Sequence, residues 1–267
     1  MLMLIDTHAH LDHPQFDPDR EAVIMRASQA GVQTIINVGA GMASSRQSIA
    51  LAEHYATVYA TVGIHPHDAG SVTAVDLEAL RRLAAHPRVV AIGEMGLDYY
   101  RDRSPRETQK AVLTAQLDIA AELDKPIVVH IRDKEGQRAA YEETLDILAR
   151  WVSRLPVGRV GVLHCFSGDI QTAQMALDLG FYLGVDGPIT YPNAGSLRAL
   201  VARLPVDRLL LETDCPYLAP QFCRGRRNEP AYLSSIAAQV AEMMNVSAEQ
   251  VAAITAENAR LLFGLPA

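Results

Sequence analysis

Leu4-Ile5-Asp6-Thr7-His8-Ala9-His10 carries the chain from an apolar run into two histidines spaced i, i+2. Side chains alternate along a strand, so both imidazoles are expected on one face, with Asp6 below them on the same side. The apolar run itself, Leu2–Thr7, recurs in kind at Thr34–Val38, Val58–Val62, Val89–Ile92, Ile127–Val129, Val160–Leu163, Phe181–Val185 and Arg208–Glu212. Near-continuous apolar runs separated by amphipathic stretches read as parallel strands buried on both faces. Eight such units predict an α/β chain closed into a (β/α)8 TIM-type barrel rather than an open sheet. With 267 residues, the whole span 1–267 is expected to form a single domain.

Punctuation between the runs agrees. Ser104-Pro105-Arg106-Glu107 predicts a capping box with Pro at the first helical position, opening a helix through Val112, Leu113, Gln116, Leu117 and Ala120. Ser247-Ala248-Glu249-Gln250 predicts a second box, and Gly31 and Gly180 stand where helices should end. Hydrophobic residues make up 49% and charged residues 21%, a composition of globular enzymes. The net charge of −7 argues against broad phosphate neutralisation. A nucleic-acid substrate would be held locally, by metals and a few cations. Three cysteines, Cys165, Cys215 and Cys223, give no disulfide framework and suit a reducing compartment. No apolar run approaches the roughly 20 residues of a membrane span, and the opening Met1-Leu2-Met3-Leu4-Ile5 reads as a strand rather than a signal peptide. The cytoplasm is the expected location, with no membrane association and no obligate protein partner.

The chemistry lies at the expected strand ends, the barrel face where such enzymes place their sites. Glu94 ends the fourth strand, His130 the fifth, His164 the sixth and Asp214 the eighth. Together with His8 and His10 they bring four imidazoles and two carboxylates to one mouth. A lone strand histidine is usually structural, but six such donors at successive strand ends point to metal. Imidazole and carboxylate suit Zn²⁺, Mn²⁺ and related divalent ions. A catalytic zinc takes about three protein ligands plus water, so six donors suit two ions about 3.5–4 Å apart, bridged by a carboxylate. Glu94 is the natural bridge. Asp6 and Glu212 each lie two residues before a donor and are expected to orient it, because a metal-bound imidazole usually donates its other N–H to a carboxylate or carbonyl. Cys165 and Cys215 should point away from the mouth by strand alternation and behave as small buried apolar groups. His54 and His86 read as surface residues and His13 as structural.

Longer motifs carry a resemblance. They are Leu4-Ile5-Asp6-Thr7-His8-Ala9-His10-Leu11-Asp12, Val62-Gly63-Ile64-His65-Pro66-His67, Ile92-Gly93-Glu94-Met95-Gly96-Leu97-Asp98-Tyr99-Tyr100, Pro126-Ile127-Val128-Val129-His130-Ile131-Arg132-Asp133, His164-Cys165-Phe166-Ser167-Gly168, Leu211-Glu212-Thr213-Asp214-Cys215-Pro216-Tyr217-Leu218-Ala219-Pro220 and Arg224-Gly225-Arg226-Arg227-Asn228-Glu229-Pro230. In these the chain resembles the TatD family of metal-dependent deoxyribonucleases, within the amidohydrolase-like barrels. The resemblance implies one ion on His8, His10, Glu94 and Asp214 and a second on Glu94, His130 and His164, with Zn²⁺, Mg²⁺ or Mn²⁺ as cofactor. It also implies hydrolysis of DNA phosphodiesters, often from a 3′ end. Lys134-Glu135-Gly136-Gln137 departs from the family's small residue followed by an acid, which touches the pocket above the fifth strand and not the ligands.

In such chemistry an ion-activated water attacks phosphorus and Asp214 takes its proton, with Glu94 as the shared catalytic carboxylate. His65 and His67 at the end of strand three, and Arg132 two residues past His130, are placed to contact substrate phosphate. So are Arg226, Arg227 and Asn228 on the long loop after strand eight. Tyr99 and Tyr100 suit base stacking or rim packing. The rival reading is a metal-dependent amide, lactone or other small-molecule ester hydrolase. Many of those bridge their ions with a carboxylated lysine, whereas here Glu94 takes that place and Lys125 comes too early on strand five.

Overall fold

The computed structural model describes residues 2–156, 158 and 160–266, so Met1 of the expected opening strand lies outside the described residues. Strands β1 (Leu4–Ala9), β2 (Val32–Val38), β3 (Val58–Val62), β4 (Val89–Asp98), β5 (Ile127–Arg132), β6 (Gly161–Leu163), β7 (Tyr182–Val185) and β8 (Leu209–Leu211) pair in chain order, all in parallel. The ring closes where Ala9 bridges Cys215, with Asp214 N–H donating to His8 O and His10 N–H to Cys215 O, each at 2.8 Å. Helices α1 (Arg20–Gln29), α2 (Met42–His54), α3 (Ala74–Ala84), α4 (Arg106–Glu122), α5 (Ala139–Val152), α6 (Ile170–Asp178) and α7 (Gly195–Val201) connect successive strands, and α8 (Leu233–Met244) and α9 (Ala248–Phe263) follow the last. This is the (β/α)8 barrel that the eight apolar runs predict.

Ile5, Ile36, Val38, Ala91, Val128, Val162 and Leu210 form one buried cluster inside the strands, joined by Ala256, Ala259, Leu262 and Phe263 of α9. The last helix therefore packs against the strand cluster at the opposite end from the functional loops. The other apolar faces of the strands meet α1 to α8 in a second, larger core.

Two register breaks decide which polar groups enter the mouth. Asp6 pairs with Ile35 but Ala9 with Asn37, so β1 carries one extra residue. Ile92 pairs with Ile127 but Met95 with Val129, so β4 carries one too. Each bulge resets the alternation. Ile5 and His8, an odd number apart, can both turn inward, as can Ala91 and Glu94. Asp6 is left on the face of Leu4, away from the interior.

The Ser247 capping box forms, its Oγ accepting Gln250 N–H at 3.1 Å. Gly31 follows α1 at φ +92°, where an added Cβ would stand 2.5 Å from Leu2 O. The Ser104 box does not form. Pro105 is extended at φ −54°, ψ 135° and occupies the N-cap position itself. Ser104 instead ties the loop after β3, donating to His67 O at 2.8 Å and accepting Gly70 N–H at 2.9 Å.

Candidate metal centre

The two oxygens of Glu94 face different groups of imidazoles. Oε2 lies 3.5 Å from His8 Nε2 and 3.8 Å from His10 Nε2. Oε1 lies 3.0 Å from His130 Nδ1, 3.5 Å from His65 Nε2 and 3.9 Å from His164 Nε2. Asp214 Oδ1 completes the first group, 3.4 Å from His10 Nε2 and 3.8 Å from His8 Nε2. His8 also stacks on His164 with ring centroids 3.5 Å apart. Burial opposes ionisation of Glu94, and His65, His130 and His8 overcome it, holding the carboxylate well below its ordinary range.

Hydrogen bonds at the far side of each ring show whether these imidazoles suit a cation. His10 Nδ1 lies 2.9 Å from Val38 O, His164 Nδ1 lies 2.8 Å from Glu212 Oε1, and His130 Nε2 lies 3.2 Å from Asp98 Oδ2. An acceptor there fixes the proton on the outer nitrogen and leaves a lone pair aimed inward, the arrangement of metal-binding histidines. His10 then aims its lone pair at His8 Nε2 across 3.2 Å, while among the described residues His8 Nδ1 is buried without a hydrogen-bond partner. His8, His10 and Glu94 offer ligand atoms that all lie within 4.8 Å of one another, as do His8, His164 and Asp214. The donor set therefore fits divalent metal. His65 differs. Its Nδ1 accepts the backbone N–H of His67 at 3.2 Å, so its proton sits on Nε2, facing Glu94. His65 Nε2 lies 3.5 Å from Glu94 Oε1 and belongs with Glu94 and His130 to a group whose ligand atoms could hold an ion.

Glu212 meets not Asp214, two residues on, but the His164 ring, and its Oε1 also accepts Cys165 N–H at 2.6 Å. Asp6 does not orient a ring. Turned from the interior by the bulge in β1, it accepts Thr213 Oγ1–H at 2.6 Å and Thr213 N–H at 3.0 Å, locking β1 to the segment that carries Asp214. The supporting carboxylate that sequence reasoning missed is Asp98. Its Oδ2 accepts from His130 and, at 2.7 Å, from His67 Nε2, while Oδ1 accepts Arg101 N–H at 2.7 Å. Its signal was present in the spacing, four residues past Glu94, had β4 been read beyond Ile92. Replacing Asp98 with Asn should weaken metal binding at His130 by about 10–100-fold, the usual effect of losing such a partner. Metal titration of the chelated protein reads this directly, and affinities equal to wild type would remove Asp98 from that role.

Other expected contacts divide. His67 is committed to Asp98. The Arg132 guanidinium lies at the rim, 4.5 Å over the exposed Tyr100 ring. Tyr99 is fully buried, donating to Glu143 Oε2 at 2.9 Å, and cannot stack a base. Asn228 is also buried, its Nδ2 donating to Thr213 O and Tyr217 O at 2.7 Å each. It braces the Asp214 turn and does not reach substrate. Arg227 pairs with Asp19 at 2.7 Å and donates to Gln15 O at 2.6 Å. Arg226 alone of the three stays exposed. Cys215 is buried as expected, but Cys165 lies past the end of β6 with φ +47°, where alternation no longer applies. Its thiol donates to Asp186 Oδ2 at 3.1 Å.

The Asp19 carboxylate is held down to about 2, chiefly by the hydrogen bond from Arg227. A depressed carboxylate stabilises the fold above the unfolded value near 4 and loses that contribution as pH falls toward 2. Because Asp19 is a third exposed, Asp19→Asn should cost about 1 kcal/mol at pH 7, with the difference fading below pH 4. Denaturant unfolding at several pH values checks this.

Fold and donor set define a (β/α)8 barrel with a candidate metal centre at its mouth. Residues 5–264 match the family model described as TatD related DNase. The chain is 43% identical over 261 residues to an uncharacterized metal-dependent hydrolase, YabD, of Bacillus subtilis, covering 98% of this chain and 99% of that one. It is 40% identical over 267 residues to the 3′-5′ ssDNA/RNA exonuclease TatD of Klebsiella pneumoniae, covering 98% of each. The crystal structure of the TatD homolog YJJV from Escherichia coli superposes with a TM-score of 0.90 at 36% identity, covering 98% of each chain. The chain belongs to the TatD family.

Proposed function

We propose that this protein hydrolyses phosphodiester bonds of single-stranded DNA or RNA, removing nucleotides from the 3′ end. Two divalent ions, Zn²⁺, Mn²⁺ or Mg²⁺, would be held by His8, His10, Glu94 and Asp214 and by Glu94, His130 and His164. The division of the two Glu94 oxygens between two imidazole groups carries this reading. The strand preference and polarity follow the names borne by relatives such as the Klebsiella enzyme. When bound, the ions supply Lewis-acid stabilisation of phosphoryl oxygens and a water deprotonated near neutral pH.

The chain's own groups do the rest. Asp214, its backbone pinned to His8 O, presents a carboxylate to the open mouth and accepts the proton of the attacking water. His65 keeps its Nε2–H directed inward and donates to an anionic oxygen of the scissile phosphate. Among the described residues no helix is long and apolar enough to cross a membrane, and we place the enzyme in the cytoplasm.

Chelation followed by metal reconstitution, with 3′- and 5′-labelled single- and double-stranded oligonucleotides as substrates, tests the reading. Stepwise loss from the 3′ end of single strands, abolished by chelation, is expected. Cleavage of a lactone panel in preference to any phosphodiester would replace it with the small-molecule ester reading.

A further inference from the structure

Two residues past Asp214 the chain enters the wall of a cleft of about 410 Å³ between the loops after β1, β7 and β8. Pro216 and Leu218 form part of that wall, Tyr191 stands opposite, and Arg224 and Arg226 supply its charge. Both arginines are exposed, and neither makes an ion pair among the described residues. Their neighbours are already committed, Arg227 to Asp19 and Arg26 to Glu229. The Arg224 guanidinium lies 4.2 Å over the Tyr191 ring, while Tyr191 O–H donates to Ala219 O at 3.0 Å. Between cleft and centre stands Tyr217, 49% exposed, its ring edge-on to His10 at 6.1 Å.

We infer that this cleft is a second nucleotide subsite, holding the part of the strand retained 5′ of the scissile bond. The inference rests on the nuclease reading above. A chain with net charge −7 gains no net attraction for a polyanion, so affinity for a strand draws on uncommitted local cations. Guanidinium forks match phosphate oxygens, and a guanidinium plane held on an aromatic ring also accepts a base face. The exposed Tyr217 ring offers the next base a stacking surface beside the centre. The strand would thus run from the metal centre past Tyr217 to Arg224 and Arg226.

The test compares kcat/KM of the metal-loaded full chain on 5′-labelled di-, tetra- and hexanucleotides across a salt series. In the wild type kcat/KM should climb with length. In the Arg224→Gln/Arg226→Gln double variant that climb should be lost, by about tenfold per arginine on the hexanucleotide. The slope of log(1/KM) against log salt should become shallower by about 1.4, near 0.7 per single-strand phosphate contact. An Arg150→Gln/Arg154→Gln variant, changing the same charge beside the outer helix α5, controls for net charge and should retain the wild-type length dependence. A double variant with the wild-type length dependence and salt slope would overturn the subsite alone. A wild type that cleaves a nitrophenyl phosphodiester but no oligonucleotide would overturn the nuclease reading, and the subsite with it.

Discussion

Replacing Glu94 with Gln is expected to strip the protein of its metal and its activity together. The carboxylate is almost fully buried, and each oxygen faces its own set of imidazole nitrogens. The amide keeps the size of the side chain but removes the shared negative charge, and turns one oxygen into an NH2 group. That NH2 could donate to the inward lone pair of His130 and occupy the pair an ion would use. A supporting partner around a metal is worth about 10–100-fold in affinity. Losing the carboxylate that both imidazole groups face should exceed this, with kcat/KM falling by about 10³ or more. Metal content after dialysis at fixed free Zn²⁺ and hydrolysis of a nitrophenyl phosphodiester check the two halves separately. Metal content unchanged and a rate within tenfold of wild type would remove Glu94 from the centre.

How far the sequence was legible follows from what each feature depends on. The barrel was readable because strands buried on both faces must be apolar along their whole length, and eight such runs leave few alternatives. The donors His8, His10, Glu94, His130, His164 and Asp214 were readable because they are the wrong residues for such runs and stand where the runs end. Asp6 was misjudged because one extra residue in β1 reverses its side, and a bulge leaves no trace in composition. Asp98 escaped notice because β4 runs on past two glycines and Glu94, polar interruptions that look like a strand end. Arg227 and Asn228 looked like substrate contacts on a charged loop. Their partners, Asp19 at 208 positions distance and Thr213 at 15, are visible only once the chain is folded. His65 could be placed at the mouth by spacing. The direction of its Nε2–H depends on one backbone N–H, that of His67, which the sequence does not reveal.

Asp214→Asn should leave a protein that folds and holds metal but turns over slowly. The segment around Asp214 is fixed independently of its side chain. Its N–H donates to His8 O, its O accepts Tyr217 N–H at 2.9 Å, and its backbone sits at φ +54°, a conformation Asn adopts readily. Asn still offers one carbonyl oxygen toward His8 and His10, so weaker binding at the first site can be overcome by raising free metal. What it cannot do is accept a proton. Loss of a positioned general base costs about 10²–10⁴ in rate, so kcat at saturating metal should drop by about 10³ with KM little changed. The loss should also shrink as pH rises, because hydroxide from solvent needs no acceptor, and a structural role for Asp214 would show no such recovery. A variant loaded with its full complement of metal that cleaves phosphodiesters at the native rate would mean that the proton leaves by another route. His65 could not supply it, since its inward nitrogen already carries a hydrogen, and the search would move to the phosphate oxygens of the substrate itself.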